Sequence, residues 1–197
     1  MPSSRTWISR KKKANILDTL GIAPKGYFLV TAHRQENVDS PENLKNIIRG
    51  ILAIHQEYSL PVIFPMHPRT RKMVEQFNIS LCGISVIEPT GFFEFLQLES
   101  NARLILTDSG GVQEESCILG VPCVTLRNTI ERLGTIEVGA NRLVGTGCDR
   151  IQVGVKEMVN ARRVWENPYG DGGASVRIVD ACRGFHLAQV EKSPQKT

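Results

Sequence analysis

Short apolar runs alternate with longer amphipathic stretches along most of this chain. Residues 27–32, Tyr-Phe-Leu-Val-Thr-Ala, are apolar at nearly every position. A strand with one wet face alternates apolar and polar residues, whereas a strand buried on both faces reads as a continuous apolar run. Similar runs at 62–64, 84–87, 104–107, 122–126 and 143–144 predict five further strands. Between them, apolar residues recur at helical spacing. Ala14, Leu17 and Leu20 predict a helix over 8–20, closed by Gly21, a residue that readily adopts the left-handed conformation of a helix end. Leu44, Ile47, Ile48, Ile51 and Leu52 form the clearest apolar stripe. Ser40-Pro41-Glu42 opens that helix with a cap, a proline that needs no N–H partner, and an acid near the positive end of the dipole. Further helices are predicted near 71–77, 93–98, 112–119, 150–161 and 175–187.

Strands that alternate with helices stack as βαβ units. The expected fold is therefore α/β, a Rossmann-like parallel sheet with helices on both faces. With 197 residues the chain can bury a core without covalent staples. The pattern divides it into a basic polar leader at 1–13, one Rossmann-like domain at 14–190, and a polar tail at 191–197. The Gly-rich stretch 167–173 precedes the last helix.

Composition narrows the function classes. A content of 41% hydrophobic and 22% charged residues excludes collagen, coiled coil and extensive disorder. No apolar run approaches a membrane span, and residues 1–13 lack the apolar core of a secretory signal; no membrane partner is expected. The net charge of +4 misleads. Arg5, Arg10, Lys11, Lys12 and Lys13 supply the excess, and the rest of the chain is nearly neutral. A nucleic-acid partner is thus not expected, because its electrostatic footprint is a basic face and not one local run. Cys82, Cys117, Cys123, Cys148 and Cys182 are odd in number and contain no C-x-x-C pair, which suggests neither a disulfide framework nor a zinc site. Cys117, Cys123 and Cys182 have apolar neighbours and read as small hydrophobes. Reduced thiols and a cytoplasmic location are expected, with no metal and no cofactor.

In open α/β sheets ligands sit beyond the carboxyl ends of the strands, and three loops there are unusually polar. Thr107-Asp108-Ser109-Gly110-Gly111 leads from a strand into a helix, where free N–H groups and the helix dipole form a phosphate cradle. An ordinary helix cap with turn glycines reads equally well. Glu115 lies one turn further on, suited to ribose hydroxyls. His33-Arg34-Gln35-Glu36-Asn37 could stabilise a phosphate leaving group or be a surface loop. His67-Pro68-Arg69-Thr70-Arg71 suits an anion or a solvated helix start. His55 and His186 read as structural or surface residues.

Taken in order and spacing, Thr31-Ala32-His33-Arg34-Gln35-Glu36-Asn37, His67-Pro68-Arg69 and Leu106-Thr107-Asp108-Ser109-Gly110-Gly111-Val112-Gln113-Glu114-Glu115 resemble the non-hydrolysing UDP-N-acetylglucosamine 2-epimerases. Gly120-Val121-Pro122, Thr129-Ile130-Glu131-Arg132, Leu143-Val144-Gly145 and Asn167-Pro168-Tyr169-Gly170-Asp171-Gly172 agree. The resemblance runs over residues 14–182 and is to the C-terminal domain of a GT-B architecture. It implies an isomerase that interconverts UDP-GlcNAc and UDP-ManNAc for polysaccharide biosynthesis, by eliminating UDP and adding it back. It further implies that Ser109, Gly110 and Gly111 hold the UDP phosphates, Glu115 the ribose, and Phe95 the uracil ring. His33, the catalytic candidate, and Arg132 would face the diphosphate and the sugar. His67 and Arg69 match positions near a second, regulatory UDP-sugar site.

Two departures from that pattern matter. Arg132 is followed by Leu133-Gly134 where the family usually has Pro-Glu. The carboxylates that move the C2 proton lie in an N-terminal half that this chain does not match. The chain is expected to be inactive without that half, with the missing half or a second copy as partner. The last helix would cross to it through an apolar side of Val176, Val179, Ala181, Cys182 and Phe185. The alternatives are a silent UDP-sugar binding module and the C-terminal half of a UDP-sugar glycosyltransferase.

Overall fold

The computed structural model describes residues 15–161 and 163–191, with side chains described as far as 183. Contact clustering divides the chain into two compact units, one up to Glu166 and one from Asn167. The predicted leader 1–13, the first half of the 8–20 helix and residues 192–197 of the predicted tail lie outside the described residues.

The first unit is built on six parallel strands: β1 (Phe28–Thr31), β2 (Val62–Pro65), β3 (Ser85–Ile87), β4 (Leu104–Thr107), β5 (Cys123–Thr125) and β6 (Asn141–Leu143). Their order across the sheet is β3-β2-β1-β4-β5-β6. The order reverses between β1 and β4, which pair in register from Phe28 opposite Leu104 to Thr31 opposite Thr107. The helices are α1 (Ile16–Leu20), α2 (Gln35–Val38), α3 (Pro41–Tyr58), α4 (Pro68–Gln76), α5 (Phe92–Asn101), α6 (Gly110–Ile118), α7 (Leu133–Glu137) and α8 (Cys148–Val159).

The side-chain alternation of the strands creates two cores. Phe28, Val30, Val62, Phe64, Leu104, Leu106 and Val124 point to one face, where α3 and α8 cover them with Leu44, Ile47, Ile51, Ile151 and Val155. Tyr27, Leu29, Ile63 and Ile105 point to the other, beneath Ile16 and Leu17 of α1, Leu98 of α5 and Val112 of α6. The sheet is thus Rossmann-like with helices on both faces, as expected. All six predicted strands are present. The predicted 143–144 strand begins two residues earlier, at Asn141, because a buried polar network holds that residue inside the sheet.

The second unit contains α9 (Ala174–Glu191). Val176, Ile178 and Val179 of that helix are exposed at 62%, 61% and 47%. Cys117 and Cys123 are buried as expected, whereas Cys182 is exposed on α9; apolar neighbours in sequence do not bury a residue on a helix with open sides.

Candidate functional site

The site begins where β1 and β4 end. Thr31 and Thr107 face each other across the two strands, their hydroxyls hydrogen-bonded at 2.6 Å in the buried interior. The next residue on β4's side, Asp108, is fully buried. Its carboxylate accepts the backbone N–H of His33 at 3.0 Å and of Arg34 at 2.9 Å. It also accepts the Asn37 side-chain amide at 3.0 Å, while the same amide donates to the Leu126 carbonyl at 2.8 Å. His33 Nδ1 lies 3.2 Å from the Asp108 carboxylate. Burial alone would raise the Asp108 carboxyl, but hydrogen bonds from His33, Arg34 and Asn37 outweigh it and hold the group below the usual carboxylate range. His33 shifts the other way: its hydrogen bond to Asp108 raises the imidazole against the opposing effect of burial. With Nδ1 turned to Asp108, Nε2 is the nitrogen available to a ligand. One buried acid therefore folds the β1 loop and orients its histidine.

Beside this knot, β4 turns into α6. Ser109 is the N-cap residue, but its side chain makes no capping hydrogen bond. Gly110 and Gly111 are absent from the residues with positive φ, unlike Gly120 at +70°. A Cβ added at Gly110 would meet nothing closer than Arg132 Nη2 at 3.7 Å, and one at Gly111 nothing closer than Ser109 Oγ at 3.9 Å. Neither backbone conformation nor internal packing requires glycine at these two positions. Gly111 is exposed, and its missing side chain leaves the start of α6 open to close approach, whereas Gly110 is buried with the Arg132 guanidinium over it.

Arg132 lies over this opening and is ion-paired with Glu114 of α6. It caps α7, and its carbonyl accepts the Thr135 hydroxyl at 2.7 Å. Thr135 in turn accepts from Asn141 at 3.0 Å, and Asn141 accepts from Thr125 at 2.9 Å. This buried chain ties α7 to β5 and β6. Leu133 and Gly134 occupy the first turn of α7, with the Leu133 side chain outside, so their departure from the usual Pro-Glu leaves Arg132 beside Gly110.

A cavity of about 230 Å³ opens at the same edge, lined by His33, His67, Phe95 and Ser109 together with Thr31 and Val112. The His33 and His67 rings are 6.0 Å apart. Four of the sequence-predicted residues thus share one cavity, with Gly110, Gly111 and Arg132 at the neighbouring helix start. Arg69 is not among them. It pairs with Asp39 at 3.0 Å and lines a separate recess with Pro41, Lys72 and Phe77. His67 instead caps α4 by accepting the Arg69 N–H at 3.2 Å. Glu115 does not line the cavity; it lies on α6 against Glu99 of α5.

Sequence reading passed over three residues here. Asp108 has no role in the sequence pattern alone, although an acid between a buried strand and two glycines is itself a signal. Arg127 is buried and spans the β1 and β5 loops through Glu36 at 3.7 Å and Glu131 at 3.2 Å. Glu99 is fully buried, and its signal is a charged residue in the Phe95-Leu98-Glu99-Ala102 apolar stripe. His55, read as structural, bonds the Leu60 carbonyl at 2.8 Å and closes the α3 end. Among the described residues no three His, Cys, Asp or Glu side chains gather as a metal site, and no helix is long and apolar enough to cross a membrane.

Residues 2–183 match the sequence model of a family described as UDP-N-acetylglucosamine 2-epimerase. A UDP-N-acetylglucosamine 2-epimerase of Methanocaldococcus jannaschii is 54% identical over 158 residues, covering 78% of this chain and 43% of that protein. A UDP-2,3-diacetamido-2,3-dideoxy-D-glucuronate 2-epimerase of Pseudomonas aeruginosa is 38% identical, over 82% of this chain and 46% of its own length. The crystal structure of the M. jannaschii enzyme in complex with UDP-GlcNAc and UDP superimposes with a TM-score of 0.79 at 49% identity, covering 88% of this chain and 49% of that one. The chain spans less than half the length of these curated relatives.

Proposed function

Because the chain belongs to the UDP-N-acetylglucosamine 2-epimerase family, we propose that it supplies the UDP-binding share of the interconversion of UDP-GlcNAc and UDP-ManNAc. The observation that carries this reading is the pair Gly110 and Gly111, whose lack of side chains serves no need of the fold. In this reading their N–H groups and the Ser109 hydroxyl take the diphosphate at the positive end of α6. Phe95 stacks on the uracil within the shared cavity. Glu115 takes the ribose hydroxyls. His33, oriented by Asp108, and Arg132 face the diphosphate and the sugar, where positive charge stabilises UDP as it leaves. His67, beside His33, belongs to a regulatory UDP-sugar subsite that Arg69 borders from its own recess.

The C2 proton needs an acid and a base, each typically worth ~10²–10⁴-fold in rate. The family resemblance assigns them to an N-terminal half, so that half, or a second copy of this chain, is the expected partner. The free, buried thiols of Cys117 and Cys123 favour a reducing, cytoplasmic setting. A second reading, a UDP-sugar binding module without catalysis of its own, uses the same helix start and cavity.

Calorimetric titration with UDP tests the site. Gly110→Val adds a side chain whose Cβ meets nothing closer than the Arg132 guanidinium at 3.7 Å and which narrows the ligand's proposed approach, and Glu115→Ala removes the ribose contact. Each is expected to weaken UDP about tenfold or more; unchanged binding in both variants overturns the assignment. Deuterium incorporation at C2 of UDP-GlcNAc, followed with and without the co-expressed N-terminal half, separates the two readings. Exchange only in the reconstituted mixture supports the enzyme, and no exchange in either supports the binding module.

A further inference from the structure

Glu99 is a buried acid without a donor. It is fully buried in the last turn of α5. Among the described residues no N–H or hydroxyl donates to either of its carboxyl oxygens. The group that meets it is another carboxyl, that of Glu115 on α6. Two carboxylates offer only acceptors to one another, so they share a hydrogen bond only when one carries a proton. The buried member, at the negative end of a helix dipole, is the one that keeps it. Glu115 is partly exposed and reaches water. Burial first, and the Glu115 charge second, push Glu99 up to about 9.

We propose that Glu99 is a positioning residue for nucleotide binding: its carboxyl O–H donates to Glu115, fixes that carboxylate against α5, and leaves its outer lone pairs aimed at a ligand diol. The proposal rests on the reading that Glu115 takes the ribose. The groups around Glu99 leave it no other partner. Cys123 on β5 faces it with a thiol that burial pushes up to about 12. Tyr27, just before β1, gives its hydroxyl to the Leu98 carbonyl at 2.5 Å. Lys25 gives its ammonium to the carbonyls of Ser100 and Ala102 at 2.8 and 3.2 Å. Once Glu99 ionises, two adjoining carboxylates repel, and Glu115 loses both its donor and its fixed direction.

The test is UDP affinity of the full chain by calorimetry from pH 6.5 to 10, in wild type, Glu99→Gln, Glu99→Met and Glu115→Gln. Gln keeps a donor that cannot titrate; Met fills the space without one. At pH 7, Glu99→Gln is expected to bind within about twofold of wild type and Glu99→Met about three- to tenfold more weakly. Above pH 8 the wild type should lose affinity relative to Glu99→Gln; taking the ratio removes the titration of the uracil ring itself, common to both. Circular dichroism confirms that each variant is folded, and the Glu99→Gln profile stands alone if Glu99→Met is not. Glu115→Gln binding UDP like the wild type overturns the ribose reading and this inference with it. Glu115→Gln binding weakly while Glu99→Gln and Glu99→Met follow the wild type at every pH overturns the inference alone.

Discussion

Two acids in this domain are equally shut off from water and stand in opposite states. Asp108, at the carboxyl edge of the sheet, is met by two backbone N–H groups, an amide and an imidazole. Glu99, at the end of a helix on one flank, is met by another acid. The first is held below the ordinary carboxylate range and the second far above it. Burial raises both, so burial is not what separates them; the count of donors is. The same residue class therefore acts as a fixed anion in one region and as a proton carrier in the other.

Removing Asp108 should break the more demanding half of this contrast. Asp108→Ala leaves the His33 and Arg34 N–H groups and the Asn37 amide without an acceptor, an expected loss of about 3–5 kcal/mol in urea denaturation. Because its carboxyl is depressed when folded, its contribution is present above pH ~3.9 and fades as pH falls through the lower folded value. Asn37→Leu keeps the acid but removes one of its donors and the tie to Leu126, and should cost about 1–3 kcal/mol. Either variant as stable as wild type would mean that the loop does not depend on this acid.

Glu99→Gln should act in the other direction. The folded state holds a proton there that the unfolded state releases above its ordinary value of 4.5. Stability must then fall as pH rises from about 4.5 towards 9, and the Gln variant should escape that fall. At pH 8 we expect it to be about 1–2 kcal/mol more stable than wild type, and about equal near pH 5; parallel melting curves across that range would refute the contrast. The smallest effect belongs to His33, whose side chain is 41% exposed. Its raised imidazole adds stability below pH ~6.5 that is lost as pH rises through the folded value. Solvent screening limits it to less than about 1 kcal/mol. Imidazole NMR titration should show the raised midpoint return towards normal in Asp108→Asn.

The sheet was legible because strands buried on both faces must be apolar throughout, as Phe28–Val30 and Leu104–Leu106 are. The short helices α2 and α7 were not, since four or five residues complete no apolar period. The turn at Ser109 to Gly111 could be found from sequence, but its meaning was ambiguous. A glycine's backbone angle and the space around its missing Cβ are three-dimensional facts. His67 and Arg69 are neighbours in sequence, yet the start of α4 turns them into different recesses. Glu99 is not legible for a simple reason: the apolar pattern predicts a helix that ends at Leu98, one residue before it, whereas the helix runs to Asn101.

The pairing of β1 with β4 also has a consequence for how the domain comes to exist. His33 and Asp108 are 75 residues apart, and β1 lies between β2, which follows it closely, and β4, which does not. As the chain leaves the ribosome, β1 can find β2 early, but its other edge stays unpaired until β4 has emerged. Long-range closure of this kind is slow, because chain entropy must be spent before any contact returns it. The proposed nucleotide crevice lies where these two strand ends meet, so an intermediate that has paired only β1 with β2 lacks half of it. Ligand capture is then a direct report that this half of the sheet has closed.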